Sequence, residues 1–269
     1  MKITRRDLLV LCGAGLSGAS PLIGLFSGCS RSVHAGLTSR EREMLSRKRS
    51  TLPIVQWNPR NRENPGNPGN TGSVLRRKAR SSLSLSMGWK KRIDAIMRAT
   101  LKESGGVGLA APQVDISRRV ALVQLQSRGK PILICLDPEI VRYSKETIDD
   151  YEACLSVQGY GGLVRRSETV VVVYYDLYGK KKMITSKGWE ARIFQHEIDH
   201  LEGKLYLDRL IGDLLPIDEM RKRRELRKSR SSHHREKFLI ANRIRSVSVS
   251  ADPIDPSTTA LGEGWTCYL

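Results

Sequence analysis

At 269 residues with 39% hydrophobic content, the chain can hold one sizeable domain plus appendages and is not disordered throughout. Its five cysteines, Cys12, Cys29, Cys135, Cys154 and Cys267, are scattered with no CxxC pair, which excludes a disulfide framework and leaves room for a reduced thiolate that ligates metal. The net charge of +18 and pI of about 10.0 favour polyanionic partners such as RNA, ribosomes or an acidic membrane face, fit a soluble domain with basic tails equally well, and exclude no activity.

Lys2, Arg5 and Arg6 precede an uncharged run from Leu8 to Ser30. Thr4–Leu9 resembles a twin-arginine export signal, and Leu25–Cys29 resembles the processing site of a bacterial lipoprotein. The run is also long enough to span a bilayer, and an organelle targeting peptide or a misassigned start are further readings. Residues 1–30 are therefore expected to be a signal- or anchor-like segment with possible membrane association, and residues 31–50 a charged linker. Residues 57–73, dense in Asn, Pro and Gly, read as a loop insertion within a catalytic domain spanning 51–215.

Within that domain, Ile93, Ile96, Met97 and Leu101 form one stripe of a helix over Lys90–Ser104, which Gly105-Gly106 ends. Val120–Leu125, Ile132–Leu136 and Thr169–Tyr175 read as strands, and Asp176–Gly179 as a turn into another at Lys181–Thr185. A second helix covers Trp189–Glu202 and stops at Gly203. This order predicts an α+β fold with antiparallel β-sheets packed around the second helix. Met220–Lys228 could extend as a basic helix, within a basic, partly disordered extension over 216–269.

The second helix carries His196-Glu197-Ile198-Asp199-His200, an HExxH pattern. A spacing of four places both imidazoles on one face, one turn apart, where they can grip one ion, with Glu197 beside the first ligand. Phe194, Ile198 and Leu201 supply the opposite, apolar side. The bare pattern also occurs in helices whose histidines only cap or pair. A catalytic metal needs a third protein ligand and one open position. Downstream, Glu202 is too close, and His233 and His234 lie in the basic tract; upstream, Cys154 offers a thiolate, although a buried cysteine more often packs than ligates. The glycine-rich stretch Gly106–Gln113 lacks the Lys-Ser/Thr of a phosphate loop and follows a helix, so it reads as a loop whose backbone approaches a substrate.

Three segments in order resemble the signatures of the peptide deformylases: Gly106–Gln113 (GVGLAAPQ), Glu152–Ser156 (EACLS) and Gln195–Gly203 (QHEIDHLEG). The resemblance runs from about Thr51 to Asp213. It implies metal ligands at Cys154, His196 and His200, a catalytic carboxylate at Glu197, and oxyanion donors at the Gln113 side chain and the Leu155 amide. It also implies substrate-binding backbone at Gly106, Val107, Gly108 and Leu109; on chemical grounds Glu152 is expected to brace the first loop by accepting hydrogen bonds. The implied metal is Fe2+, with Zn2+, Ni2+ or Co2+ able to take the same site. The implied reaction removes the N-formyl group from N-formylmethionyl nascent polypeptides and releases formate. The chain departs from the family pattern at Ala153, where Gly is usual, at Gln158, where Pro often stands, and at Gly161, where an Arg is common.

The basic tract 221–237 suggests contact with ribosomal RNA, or a solvated tail. An HExxH metallopeptidase and a non-catalytic metal- or nucleic-acid-binding relative are the rival readings. The substrate implies a cytoplasmic or organellar enzyme, whereas the N-terminal segment implies membrane association or export.

Overall fold

The computed structural model describes residues 36–59, 71–125, 132–227 and 229. The signal-like segment 1–30, the centre of the Asn/Pro/Gly-rich stretch, and His233 and His234 lie outside the described residues. Among the described residues, no helix is long and apolar enough to cross a membrane.

Among the described residues, the helices α1 (Ser39–Ser46), α2 (Met87–Ser104) and α3 (Trp189–Leu201) and a helical stretch over 217–227 accompany eight strands. These are β1 (Gly108–Ala110), β2 (Val120–Gln124), β3 (Ile132–Tyr143), β4 (Thr147–Cys154), β5 (Val157–Ser167), β6 (Thr169–Tyr175), β7 (Lys181–Lys187) and β8 (Leu215–Pro216). They form two antiparallel sheets, ordered β1-β2-β3-β6-β7 and β4-β5-β8. The mixed architecture with antiparallel sheets is the one the sequence predicts.

The α2 stripe Ile93, Ile96, Met97 and Leu101 is buried against Leu109, Leu122 and Ile134 of the first sheet. The helix ends where expected, because Gly105 takes a left-handed conformation (φ 68°) that costs a glycine nothing. Helix α3 is buried from Ala191 to Leu201 and divides its two faces by chemistry. Ile193, Phe194 and Ile198 pack with Val123, Cys135, Val170 and Val172 of the first sheet. The other face docks on the second sheet through polar groups. The Gln195 side chain donates to Ser167 O (2.9 Å) and accepts from Ser167 N–H (3.1 Å). Arg192 donates to Ile148 O (2.6 Å) and Val164 O (3.0 Å).

The folded unit extends beyond 51–215 at both ends. Residues 31–50, expected as a linker, contain α1, started by a reciprocal cap in which Glu41 accepts from Thr38 N–H (2.7 Å) and Thr38 Oγ1 accepts from Glu41 N–H (3.2 Å). Leu37 and Leu45 enter the α2 core, and Glu41 pairs with Arg80 (2.8 Å). At the other end β8 pairs with β5, and Met220, in helical residues 217–227, is buried against Ala153 and Leu215. This packing closes the space at Gly161, where a Cβ would lie 2.9 Å from Glu152 O and 3.1 Å from Met220 Cγ. No arginine fits there without moving the strand.

Candidate metal centre

Strands β4 and β5 form a hairpin in which Cys154 pairs with Val157 after a register shift, so Leu155 and Ser156 make the tight turn and Cys154 sits at the tip. That tip faces the polar side of α3. One ligand atom each from Cys154, His196 and His200 falls within 4.8 Å of the others, and all three residues are buried. Cys154 Sγ is 3.3 Å from His200 Nε2. A tetrahedral ion with a metal–sulfur bond of about 2.3 Å and a metal–nitrogen bond of about 2.0–2.1 Å requires roughly 3.6 Å between such atoms, so the donor set fits a cation. His196 Nε2 has no hydrogen-bond partner within the buried site, as a ligand atom aimed at an ion requires.

Burial pushes the Cys154 thiol up to about 12, opposed by the Ser156 N–H and reinforced by the nearby Glu197 and Glu152 carboxyls. Burial, with His196 and Arg166 alongside, carries His200 well below the usual imidazole range and leaves a neutral imidazole. Burial also raises the Glu197 carboxyl well above its usual value; the Glu152 charge adds to this and Arg166 partly offsets it. Among the described residues both Glu197 oxygens are buried without a hydrogen-bond partner, so this group can take up and return a proton.

Glu152 behaves in the opposite way. Burial alone would raise it, yet the Arg166 guanidinium and hydrogen bonds from Arg166 and His196 hold it well below the usual carboxylate range. Its Oε1 accepts from Arg166 Nε (2.9 Å) and Arg192 Nη1 (2.7 Å), and its Oε2 accepts from Arg166 Nη2 (2.9 Å) and meets His196 Nδ1 (2.9 Å). The brace expected to hold the first loop therefore holds a histidine of the site instead. Arg166 continues to Asp199 (2.5 Å), which also takes both arms of Arg209 (2.5 and 2.7 Å). Sequence reasoning missed Arg192 and Asp199 as members of this cluster. The available signal was helical spacing, since Arg192 lies one turn before His196.

The Gly106–Leu109 backbone reaches the same place. A Cβ on Gly106 would sit 3.0 Å from Leu155 Cδ1, and one on Gly108 would sit 2.8 Å from Glu197 Cδ. Gln113 is fully buried. Its Oε1 accepts from Ala110 N–H (2.8 Å), which aims Nε2 at Cys154 Sγ (3.5 Å) and Ser156 Oγ (3.4 Å). An extended strap before the first loop joins the two turns: Val55 N–H donates to Gln113 O (2.8 Å), Trp57 N–H to Ser156 O (2.7 Å), and Gln56 Nε2 to Leu155 O (3.1 Å). Arg165 turns outward to pair with Asp149 (2.7 Å), and Glu202, set aside as a ligand, pairs with Arg119 and Lys78.

A family model described as polypeptide deformylase matches residues 68–213. Among curated proteins, the chain is similar to the peptide deformylase of Dictyoglomus thermophilum, 43% identical over 129 residues, covering 48% of this chain and 82% of that one. It is also similar to that of Desulforudis audaxviator, 42% identical over 136 residues, covering 51% and 86%. Among solved structures it is similar to the peptide deformylase of Thermotoga maritima, with TM-score 0.51, 32% identity, and coverage of 61% of this chain and all of that one. The actinonin-bound class I type b peptide deformylase of Acinetobacter baumannii gives TM-score 0.50 and 35% identity over 60% of this chain and 99% of that one. With more than half of its length matched to the family model, the chain belongs to the polypeptide deformylase family.

Proposed function

We propose that the chain removes the N-formyl group from the initiator methionine of newly synthesised polypeptides and releases formate, using one ion held by Cys154, His196 and His200 on and beside the HExxH helix α3. The observation that carries this reading is the buried convergence of those three ligand atoms within 4.8 Å, beside a Glu197 carboxyl without a partner. The ion is Fe2+, with Zn2+, Ni2+ and Co2+ accepted by the same mixed sulfur and imidazole set.

A formamide is a poor electrophile, and water at neutral pH is a poor nucleophile. When bound, the ion lowers the pKa of a water toward neutrality and polarises the formyl oxygen. Glu197 takes the water's proton and returns it to the departing amine, a role suited to a buried carboxyl whose pKa burial raises well above its usual value. The charge that develops on the former formyl oxygen meets the Gln113 amide and the Leu155 N–H; such a donor typically contributes ~10²–10³ in rate. The Gly106–Leu109 backbone lines the cleft, where glycine lets the substrate main chain approach.

The deciding experiment loads the purified chain with Fe2+ without oxygen, supplies formyl-Met-Ala-Ser and assays formate. Formate at background with the metal fully bound would overturn the assignment. Exposed Lys222, Arg223 and Arg227 in helical residues 217–227 support contact with ribosomal RNA. Co-sedimentation with ribosomes across a salt series tests that contact, and binding unchanged after removal of the residues beyond Leu215 would end it.

A further inference from the structure

Arg192, His196 and His200 stand at successive one-turn intervals on the face of α3 that meets the second sheet. Two of the three are candidate ligands, and the third donates to Glu152 and to backbone carbonyls. Arg192 is buried, with a guanidinium occupied by the Ile148, Val164 and Asp150 carbonyls and by Glu152 Oε1. Burying an arginine is costly unless its donors are satisfied and its charge is matched. Both conditions are met here, and the matching carboxylate is the one that holds His196.

The four donors on Glu152 divide evenly. Arg166 supplies one to each oxygen, Arg192 completes Oε1, and His196 Nδ1 completes Oε2. Arg166 is also shared with Asp199, so a single guanidinium bridges two buried carboxylates. Arg166 on both oxygens and Arg192 on Oε1 together hold the Glu152 carboxylate, and with Arg192 in place its rotation about the last torsion breaks a third charged hydrogen bond. A carboxylate fixed as an acceptor sets the imidazole tautomer: Nδ1 carries the proton, and Nε2 presents its lone pair to the site.

We propose that Arg192 is a positioning residue for the metal centre, which locks the Glu152 carboxylate so that His196 keeps the tautomer and ring orientation needed to ligate. This rests on the reading of Cys154, His196 and His200 as ligands. It separates Arg192 from a purely structural anchor, because Lys at 192 can keep the charge on Glu152 while losing the carbonyl contacts.

The test measures Zn2+ affinity by chelator competition and the visible spectrum of the Co2+ form, in the full chain, for wild type, R192M, R192K and E152Q. Folding is monitored separately by near-ultraviolet dichroism. Folded R192M is expected to bind Zn2+ about 10–100-fold more weakly, with a changed Co2+ spectrum, and E152Q to lose a similar factor. R192K is expected to stay within about threefold of wild type although it is less stable, since it loses carbonyl contacts of the guanidinium. The proposal is overturned by a folded R192M within twofold of wild type with an unchanged spectrum, or by an R192K as weak as R192M. Should R192M not fold, E152Q within twofold of wild type overturns it alone, because the route runs through that carboxylate. A wild-type chain that takes up no Zn2+ would instead overturn the ligand reading itself.

Discussion

Gly108 lies so close to Glu197 that a single added carbon would meet the carboxyl, with Cδ only 2.8 Å away. The glycine keeps an ordinary backbone conformation, so space, not torsion, is what it provides. The obstructed atoms are the end of a flexible side chain, and the side chain will yield before the strand does. Gly108→Ala is therefore expected to displace Glu197, leave metal content unchanged and lower kcat about 10²-fold, the lower bound for losing a placed proton-transfer group. Equal metal content with undiminished kcat would show that Glu197 does not act from this position.

Metal binding is expected to be proton-coupled. In the absence of an ion the Cys154 thiol is pushed up to about 12, so it is protonated from pH 6 to 8 and must lose that proton to ligate. His200 is already neutral and releases none. Apparent Zn2+ affinity should therefore rise at least about tenfold per pH unit over that window. Titration calorimetry in buffers of different ionisation enthalpy checks this, and an affinity flat with pH would mean that no thiol is displaced.

Cys154→Ala separates the present reading from the rival metallopeptidase. Removal of the sulfur from a three-point site is expected to abolish stoichiometric metal and reduce formate release to background. Mass analysis after gel filtration gives the metal content. Full metal with full hydrolysis would mean that the third ligand lies elsewhere.

Acid stability should report on Glu152. Its carboxyl is held below the unfolded value of about 4.3, so the cluster contributes its full stability above that value and loses it as pH falls through the depressed native one. Glu152→Gln leaves Arg192 buried without its counter-charge and Arg166 with Asp199 alone, and it should cost about 3–5 kcal/mol in denaturant unfolding of the metal-free protein at pH 7. The gap between the two proteins should narrow toward pH 3. A constant gap would place the cost in shape, not charge.

The N-terminal boundary can be tested by length. A chain starting at Gly36 keeps Leu45 and the Glu41 pair, and one starting at Thr51 loses both. The shorter chain should be less stable by at least about 2–5 kcal/mol, the cost of removing one buried leucine side chain. Equal denaturation midpoints would return residues 36–50 to the status of a linker.

Several features follow from local rules and were legible in the sequence. The C-terminal end of α2 and the extent of α3 follow from apolar spacing and from glycines that end a helix, whereas α2 starts at Met87, three residues before the expected Lys90; β6 agrees residue for residue with its branched run. The pairing of His196 with His200 needs nothing beyond the pitch of one helix. Other elements are not written locally. β5 carries three glycines, β4 is rich in acids, and α1 is a short charged stretch. Each has weak propensity of its own and is held by partners distant in the chain.

What the sequence determined by itself is therefore the helix, the two imidazoles it places together and, through three ordered signatures, the family. Spacing could not select Cys154, which precedes His200 by 46 residues; the β4–β5 hairpin brings its sulfur to the helix. The tertiary structure also decided that Glu152 braces His196 instead of the first loop, that Arg192 stands behind Glu152, and that Met220 closes the space at Gly161. Helical contacts repeat every three or four residues and leave a pattern in the chain. A buried charge finds its counter-charge by folding, and the distance between them along the chain carries no signal.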